Sequence, residues 1–269
     1  MQQRFSSQFL GMNSIVIYRG NAGYLIDPGV FPSEIERIDR FLQRQKIDNI
    51  TLLLTHTHGD HISGWYFFRH FPAFGHESIA QKSKTVREND VKYLQSMWRK
   101  RGIENTDYLI FPDNLQFVAD GEVLAIPPFS FVIYQVPGHS IDMSVIIIPE
   151  QHLMFSGDML IDVPAPFVLH SVKKYRESLK RIAALVKQYD VRYLVPGHRE
   201  PAHSRQEIVK RIEKEQSYLQ ELVGKGIRLA EKGLDRDGLK HALYETFPQY
   251  ARLHSHQVNV QTLLRELNE

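Results

Sequence analysis

Cysteine is absent from all 269 residues, and that absence closes several routes at once. Without thiols there is no disulfide framework, no thiolate nucleophile and no thiolate zinc site, so any metal has to be held by histidine and carboxylate. No stretch approaches the ~20 uninterrupted apolar residues of a membrane helix. The N-terminal segment also lacks the basic stretch and apolar core of an export signal. The expected setting is cytoplasmic, with no membrane partner. A formal net charge of +2 is small for this length and provides no global field for steering onto nucleic acid, which is therefore not an expected partner. Low-complexity tracts and fixed-period repeats are missing too. What is present is an ordinary globular composition, 42% hydrophobic and 24% charged, sufficient for a large core without staples.

The chain begins as an α/β protein. Asn13 to Tyr18 and Tyr24 to Asp27 read as two strands around the Gly20-Asn21-Ala22-Gly23 turn. Ser33 to Gln45 places Ile35, Ile38, Phe41 and Leu42 at helical spacing, with Ser33 as the expected N-cap and Glu34 and Glu36 in the first turn. Ile50 to Thr55 is nearly all apolar, as in a strand buried on both faces. The segment Trp65 to Asn105 reads as helix and loop, and Asp107 to Ile148 as a meander of short strands. Further strands are expected at Gln151 to Gly157 and Val191 to Val195, with a helix at Tyr175 to Tyr189. Beyond Pro201 the strands stop, and helices are expected at Ser204 to Leu222, Asp237 to Thr246 and Val258 to Leu267. A catalytic domain over residues 1–201 and a helical extension over residues 202–269 is the expected division.

The chemistry concentrates directly after the Leu52–Leu54 run, where the chain reads Thr55-His56-Thr57-His58-Gly59-Asp60-His61. Imidazole and carboxylate together suit zinc, iron, manganese or nickel. A lone Asp60 is explained by helix capping, but three histidines crowded beside it are not. One loop cannot close two coordination spheres, and three later positions have matching surroundings. His139 in Pro137-Gly138-His139, Asp158 in Ser156-Gly157-Asp158 and His198 in Pro196-Gly197-His198 each follow a glycine just past an expected strand. Glycine permits the tight turns and close approach that converging side chains need.

This set resembles the metallo-β-lactamase fold superfamily, whose mark is a His-x-His-x-Asp-His segment followed by a His, an Asp and a His at later strand ends. The resemblance covers about Asn13 to Pro201 and leaves no ligand missing. It implies an α/β fold of αββα type, a four-layer sandwich of two mixed β-sheets flanked by helices. It also implies two divalent metal ions, zinc first, with iron or manganese fitting the same donors. His56, His58 and His139 would hold one and Asp60, His61 and His198 the other, with Asp158 bridging. A carboxylate has two oxygens and is able to span two cations, which imidazole is not. The implied activity is hydrolysis by a metal-bridging hydroxide, with Asp60 orienting the water or relaying its proton.

Within the superfamily the absence of cysteine and the presence of Asp158 argue against a true β-lactamase. Glyoxalase II-like and lactamase-β-2-like hydrolases are the nearer resemblance, with a small ester, thioester or lactone as substrate. Phosphodiesterase or nuclease action and a mononuclear iron persulfide-type dioxygenase are the alternatives. This chain has Ile161 where lactonases of the group carry Tyr, and Asp142 where thioesterases usually carry Gly. His170, in the loop beyond Asp158, is the candidate substrate contact outside the metal ligands. Trp65-Tyr66-Phe67-Phe68 fits either an acyl pocket or core packing. Arg99-Lys100-Arg101 and Lys173-Lys174 fit either an anionic substrate or a solvated face. A homo-oligomer is compatible with all of this.

Overall fold

The computed structural model describes residues 1–267. Its first sheet runs β1 (Gln2–Ser6), β2 (Asn13–Arg19), β3 (Ala22–Ile26), β4 (Asn49–Leu54), β5 (Ala73–His76) and β6 (Gln116–Val118), in that spatial order. The strands are antiparallel up to β3 and parallel from there on. Parallel neighbours need crossovers. Here they are α1 (Pro32–Arg44), the short α2 (Gly59–Ile62) and α3 (Trp65–Phe68), and then α4 (Lys84–Arg99).

The second sheet is an antiparallel meander of β7 (Val123–Ile126), β8 (Phe129–Gln135), β9 (Ser144–Ile148) and β10 (Leu153–Gly157). The helix α5 (Val172–Gln188) then carries the chain to β11 (Tyr193–Pro196), parallel to β10 at the edge. Three helices finish the described chain, α6 (Arg205–Ala230), α7 (Arg236–Thr246) and α8 (His254–Glu266).

Strand side chains alternate between faces, and here both faces find a partner. Ile15, Ile17, Tyr24, Ile26 and Leu53 of the first sheet meet Phe131, Ile133, Ile146, Ile148 and Phe155 of the second. The residues in between face outward under helices. Val16, Leu25, Leu52 and Leu54 pack with Ile35, Ile38, Leu42, Leu94 and Trp98 of α1 and α4. Val145, Ile147 and Met154 pack with Leu179 and Ile182 of α5, and Leu219, Leu222, Leu243 and Val260 of the last three helices join the same core. Helix, sheet, sheet, helix is thus the layer order, because period-2 alternation with apolar residues at every position needs cover on both sides. No helix among the described residues is long and apolar enough to cross a membrane.

Several elements differ from the sequence expectation. The first turn of α1 is capped by Phe31, not Ser33; Pro32 takes the first helical position, and the Glu34 carboxylate accepts from Phe31 N and Gln8 N. The strand β5 lies inside the stretch expected to be helix and loop. The expected meander from Asp107 is split, since β6 joins the first sheet and only β7 onward forms the second. Helix α6 runs past Leu222 to Ala230 and α8 starts at His254, four residues before Val258.

Candidate metal centre

β4 ends under the core at Leu54, and the next turn is held by two buried carboxylates. Asp27, at the end of β3, accepts from Thr55 N at 2.9 Å and Thr55 Oγ1 at 2.7 Å. Asp142 accepts from Thr57 N at 2.9 Å and from Thr57 Oγ1, and its other oxygen accepts from Ser140 Oγ at 2.8 Å. The His56–His61 loop and the His139 loop are thereby pinned to one carboxylate.

The structure brings all seven expected ligands together. His56 Nε2 and His139 Nε2 lie 3.1 and 2.9 Å from His58 Nδ1, and His139 Nε2 lies 3.2 Å from Asp158 Oδ2. On the other side Asp158 Oδ1 lies 3.1 Å from His61 Nε2 and 3.4 Å from His198 Nε2, which is itself 3.2 Å from Asp60 Oδ2. Donor atoms of His56, His58, His139 and Asp158 form one compact group, and those of Asp60, His61 and His198 a second. Asp158 faces both, one oxygen to each.

These residues fit divalent cations on two grounds. First, the outward ring nitrogens of His56, His61 and His139 are occupied, which fixes the tautomer and turns the lone pair of the other nitrogen inward. His61 Nδ1 is 2.8 Å from Asp27 Oδ2, His139 Nδ1 is 2.9 Å from Phe167 O, and His56 Nδ1 is 3.2 Å from Thr55 Oγ1. Meanwhile His61 Nε2 and Asp158 Oδ1 are buried and have no hydrogen-bond partner among the described residues.

The second ground is electrostatic. Burial pushes His56 well below its usual value, with His61 and His58 adding to the effect, and burial with His139 and Lys82 holds His58 at about 3. Both rings are neutral, the form that ligates. Burial by itself would raise the two carboxylates, but His61 and His198 bring Asp60 to about 2, and His198, His61 and His139 hold Asp158 well below the usual range. Burial would lower His61, yet Asp158, Asp60 and Asp27 lift it well above its usual value; His198 is lifted in the same way by Asp158 and Asp60. The buried carboxylates are ionised and attract positive charge, which is what a cation supplies.

Glycines before the ligands have different reasons. Gly138 has φ +141°, and a Cβ there would sit 2.4 Å from Tyr175 Cα. Gly197 has no such φ, but a Cβ would lie 2.5 Å from Asp158 Oδ1 and 2.8 Å from His61 Cε1. The first permits the turn and the packing of α5, and the second keeps space beside the shared carboxylate.

Behind the ligands lies support that the sequence reading did not assign. The buried Lys82 Nζ donates to Thr57 Oγ1 at 2.9 Å and Asp90 Oδ2 at 2.8 Å and stands 3.4 Å from Asp142 Oδ1. It thus ties α4 to the ligand loop. Glu215 of α6 is buried and accepts from Tyr175 Oη at 2.9 Å and from the Leu160 backbone; burial pushes its carboxyl up to about 8. Asp27 had a faint signal, a charged residue ending an apolar strand. Lys82, Glu215 and Asn259 had none.

His170 lies beside the centre rather than in it. Its amide donates to Gly138 O at 3.0 Å, and its Nε2 is buried without a partner among the described residues. Burial, then Lys174 and Arg265, lowers its pKa. Trp65 and Phe68 belong to the core under the first sheet, while Tyr66 and Phe67 are partly exposed and group with Tyr108. Arg99 donates to Thr106 Oγ1, and Arg101 stacks on Phe31 at 4.5 Å. Lys173 and Lys174 are exposed in the first turn of α5.

Comparison with known proteins agrees with this architecture. The chain is 28% identical over 182 residues to the lactamase-like protein nscB of Trichophyton rubrum, covering 67% of this chain and 48% of that protein. It is 27% identical over 194 residues to an atrochrysone carboxyl ACP thioesterase of Aspergillus fumigatus, covering 71% and 51% respectively. The chain therefore spans about half the length of the curated relatives it matches. Among solved structures, a metallo-beta-lactamase family protein from Thermus thermophilus superposes with a TM-score of 0.72 at 20% identity, covering 99% of this chain and 94% of that one. The BLEG-1 B3 metallo-beta-lactamase gives 0.57 at 20% identity, over 78% and 97%. Both show a shared fold. The profile of the metallo-beta-lactamase superfamily matches residues 8–198, from the β1–β2 turn to the last of the seven candidate ligands, and the chain belongs to that superfamily.

Proposed function

We propose that this chain is a metal-dependent hydrolase that cleaves a small ester, thioester or lactone, with an acyl thioester as the foremost substrate. The observation that carries the reading is the pair of donor groups meeting at Asp158, whose two oxygens face His139 on one side and His61 with His198 on the other. The relative named as an ACP thioesterase supports the thioester over the other two bonds.

His56, His58 and His139 would hold one cation, Asp60, His61 and His198 another, and Asp158 would serve both; zinc is the metal proposed first. Cations in such a site polarise a carbonyl oxygen and make water acidic enough to act as a nucleophile at neutral pH. The protein's own part is to keep the ligand rings aimed, which Asp27, Thr55 and Phe167 O do from behind. Asp60 stays ionised although buried, suited to orient the attacking water and relay its proton. His170, whose amide bonds Gly138 O beside His139, would contact the substrate. Residues 1–201 would form the catalytic unit and residues 202–269 its extension.

Metal analysis combined with a substrate panel tests this. About two zinc equivalents per chain with hydrolysis of acyl thioesters, esters or lactones would support it. A single iron with oxygen consumption, or turnover confined to phosphodiesters, would overturn it.

A further inference from the structure

The segment between Asp158 and α5 is irregular, so its backbone polar groups need partners from elsewhere. From Pro166 to His170 most of those partners are on one helix late in the chain. Asn259 Oδ1 of α8 accepts from Val168 N at 2.8 Å, and Asn259 Nδ2 donates to Pro166 O at 2.7 Å. One turn on, Thr262 Oγ1 donates to Val168 O at 2.9 Å. A further turn brings Arg265, which donates to the carbonyls of Leu169 and His170, and Glu266, which accepts from Val172 N and Lys173 N. Positions three and four apart share a helix face, and this face of α8 is matched to the loop backbone.

One group in that loop is left for another purpose. Phe167 O accepts from His139 Nδ1 at 2.9 Å, and the Phe167 carbonyl and the Val168 N–H belong to the same peptide unit. That unit is planar, with N–H and C=O pointing in opposite directions. Asn259 therefore holds one end of the plane whose other end holds His139. The asparagine is in turn fixed by its 3.0 Å bond to Tyr218 Oη of α6, and Tyr218 Oη lies 2.8 Å from His256 Nδ1. Burial lowers His256 to about 4, so its ring is neutral and accepts the Tyr218 proton. From Tyr218 through Asn259 and the peptide to His139 each donor has an acceptor, while His256 Nε2 at the outer end has none among the described residues.

We infer that α8 is a template for the metal centre, and that Asn259 is a positioning residue which, through the Phe167–Val168 peptide, sets the orientation and tautomer of His139. The inference rests on the two-cation reading of the site. It gives the C-terminal helices a role beyond covering the second sheet, because α8 reaches, through the Phe167–Val168 peptide, the candidate ligand that follows β8.

The test compares Asn259→Leu, which keeps the volume and withdraws the amide, with Thr262→Val, which withdraws the neighbouring bond to a different peptide unit. Zinc affinity is measured by competition with a chromophoric chelator, and the visible spectrum is recorded on cobalt-substituted protein. Outer-shell partners of metal-binding histidines are worth about 10- to 100-fold in metal affinity. N259L should lose about that much at one of two sites and change the cobalt spectrum, while T262V keeps wild-type affinity and spectrum. Should N259L fail to melt cooperatively, Asn259→Ser, which withdraws the same acceptor from Val168 N and leaves a polar atom in the space, is expected to show the same loss. Wild-type and N259 variants with equal affinities and spectra would overturn the inference while leaving the two-cation reading intact. Wild-type protein that binds no divalent cation would overturn both.

Discussion

Replacing Glu215 by Gln should stabilise this protein, by an amount that grows with pH. The carboxyl is buried at 3% exposure, and desolvation raises it from 4.5 to about 8, with Tyr175, Lys214 and Arg211 offsetting only part of the burial cost. This is the reverse of the usual carboxylate case. Below pH 4.5 the group is protonated in both the folded and the unfolded chain and contributes no pH-dependent term. Between 4.5 and 8 the unfolded chain ionises while the folded one stays protonated, so the folded state loses ground steadily. At about 1.4 kcal/mol per pH unit, the distance from 4.5 to about 8 gives a penalty of about 3 kcal/mol at pH 7. It levels off at about 5 kcal/mol above pH 8. E215Q removes the titration and keeps an oxygen for Tyr175 Oη. Urea unfolding of wild type and E215Q from pH 5 to pH 9 should show curves that nearly meet at the acidic end and diverge toward the alkaline end. A difference that stays flat across this range, or wild type being the more stable at pH 9, would refute the reasoning, since Glu215 would then be ionised and compensated in the fold.

Three other outcomes follow from the site. Asp158→Ala removes the carboxylate facing both donor groups, so under the proposed two-cation hydrolase reading bound metal should fall from two equivalents to at most one and kcat/KM by more than about 100-fold; plasma emission analysis and a thioester assay read these directly. Asp142→Ala withdraws the acceptor for Thr57 N and Ser140 Oγ and leaves Lys82 with one carboxylate, Asp90, in place of two, a loss of about 3 kcal/mol or more visible as a lowered Tm. Gly138→Ala places a Cβ 2.4 Å from Tyr175 Cα, a backbone atom that cannot rotate away, and should cost at least about 2 kcal/mol in denaturant unfolding.

The candidate ligands were legible in the sequence because they are local: four lie within six residues, and each of the others follows a glycine at a strand end. Their supports are not local. Asp27 meets Thr55 and His61 across 28 and 34 positions, and Asn259 meets Val168 across 91, distances over which a single sequence has no periodic signal. The layered fold was readable where burial dictates pattern, as in β4. It was not readable in β1, whose Gln2, Gln3 and Arg4 sit at an edge with little to bury. Helix α6 was expected to end before its glycines for a similar reason. Gly226 is a notch rather than a terminator, since a Cβ there would come within 2.8 Å of Leu263 Cδ2 on α8, and close packing of two helices outweighs glycine's helix cost of about 1 kcal/mol.

Each donor group draws on both sheets. His56, His58, Asp60 and His61 come from the end of β4, and His139, Asp158 and His198 from the ends of β8, β10 and β11. Existing bonds already join the sheets at this rim, from Asn13 N to Gly197 O and from Ser144 N to Thr55 O. Cations held there would act as rivets through both plates of the sandwich, so sliding of one plate over the other would be felt first as a change in metal spacing. The candidate centre would then double as the clamp that sets the mechanical stiffness of the whole stack, and chelation should soften the molecule far from the site.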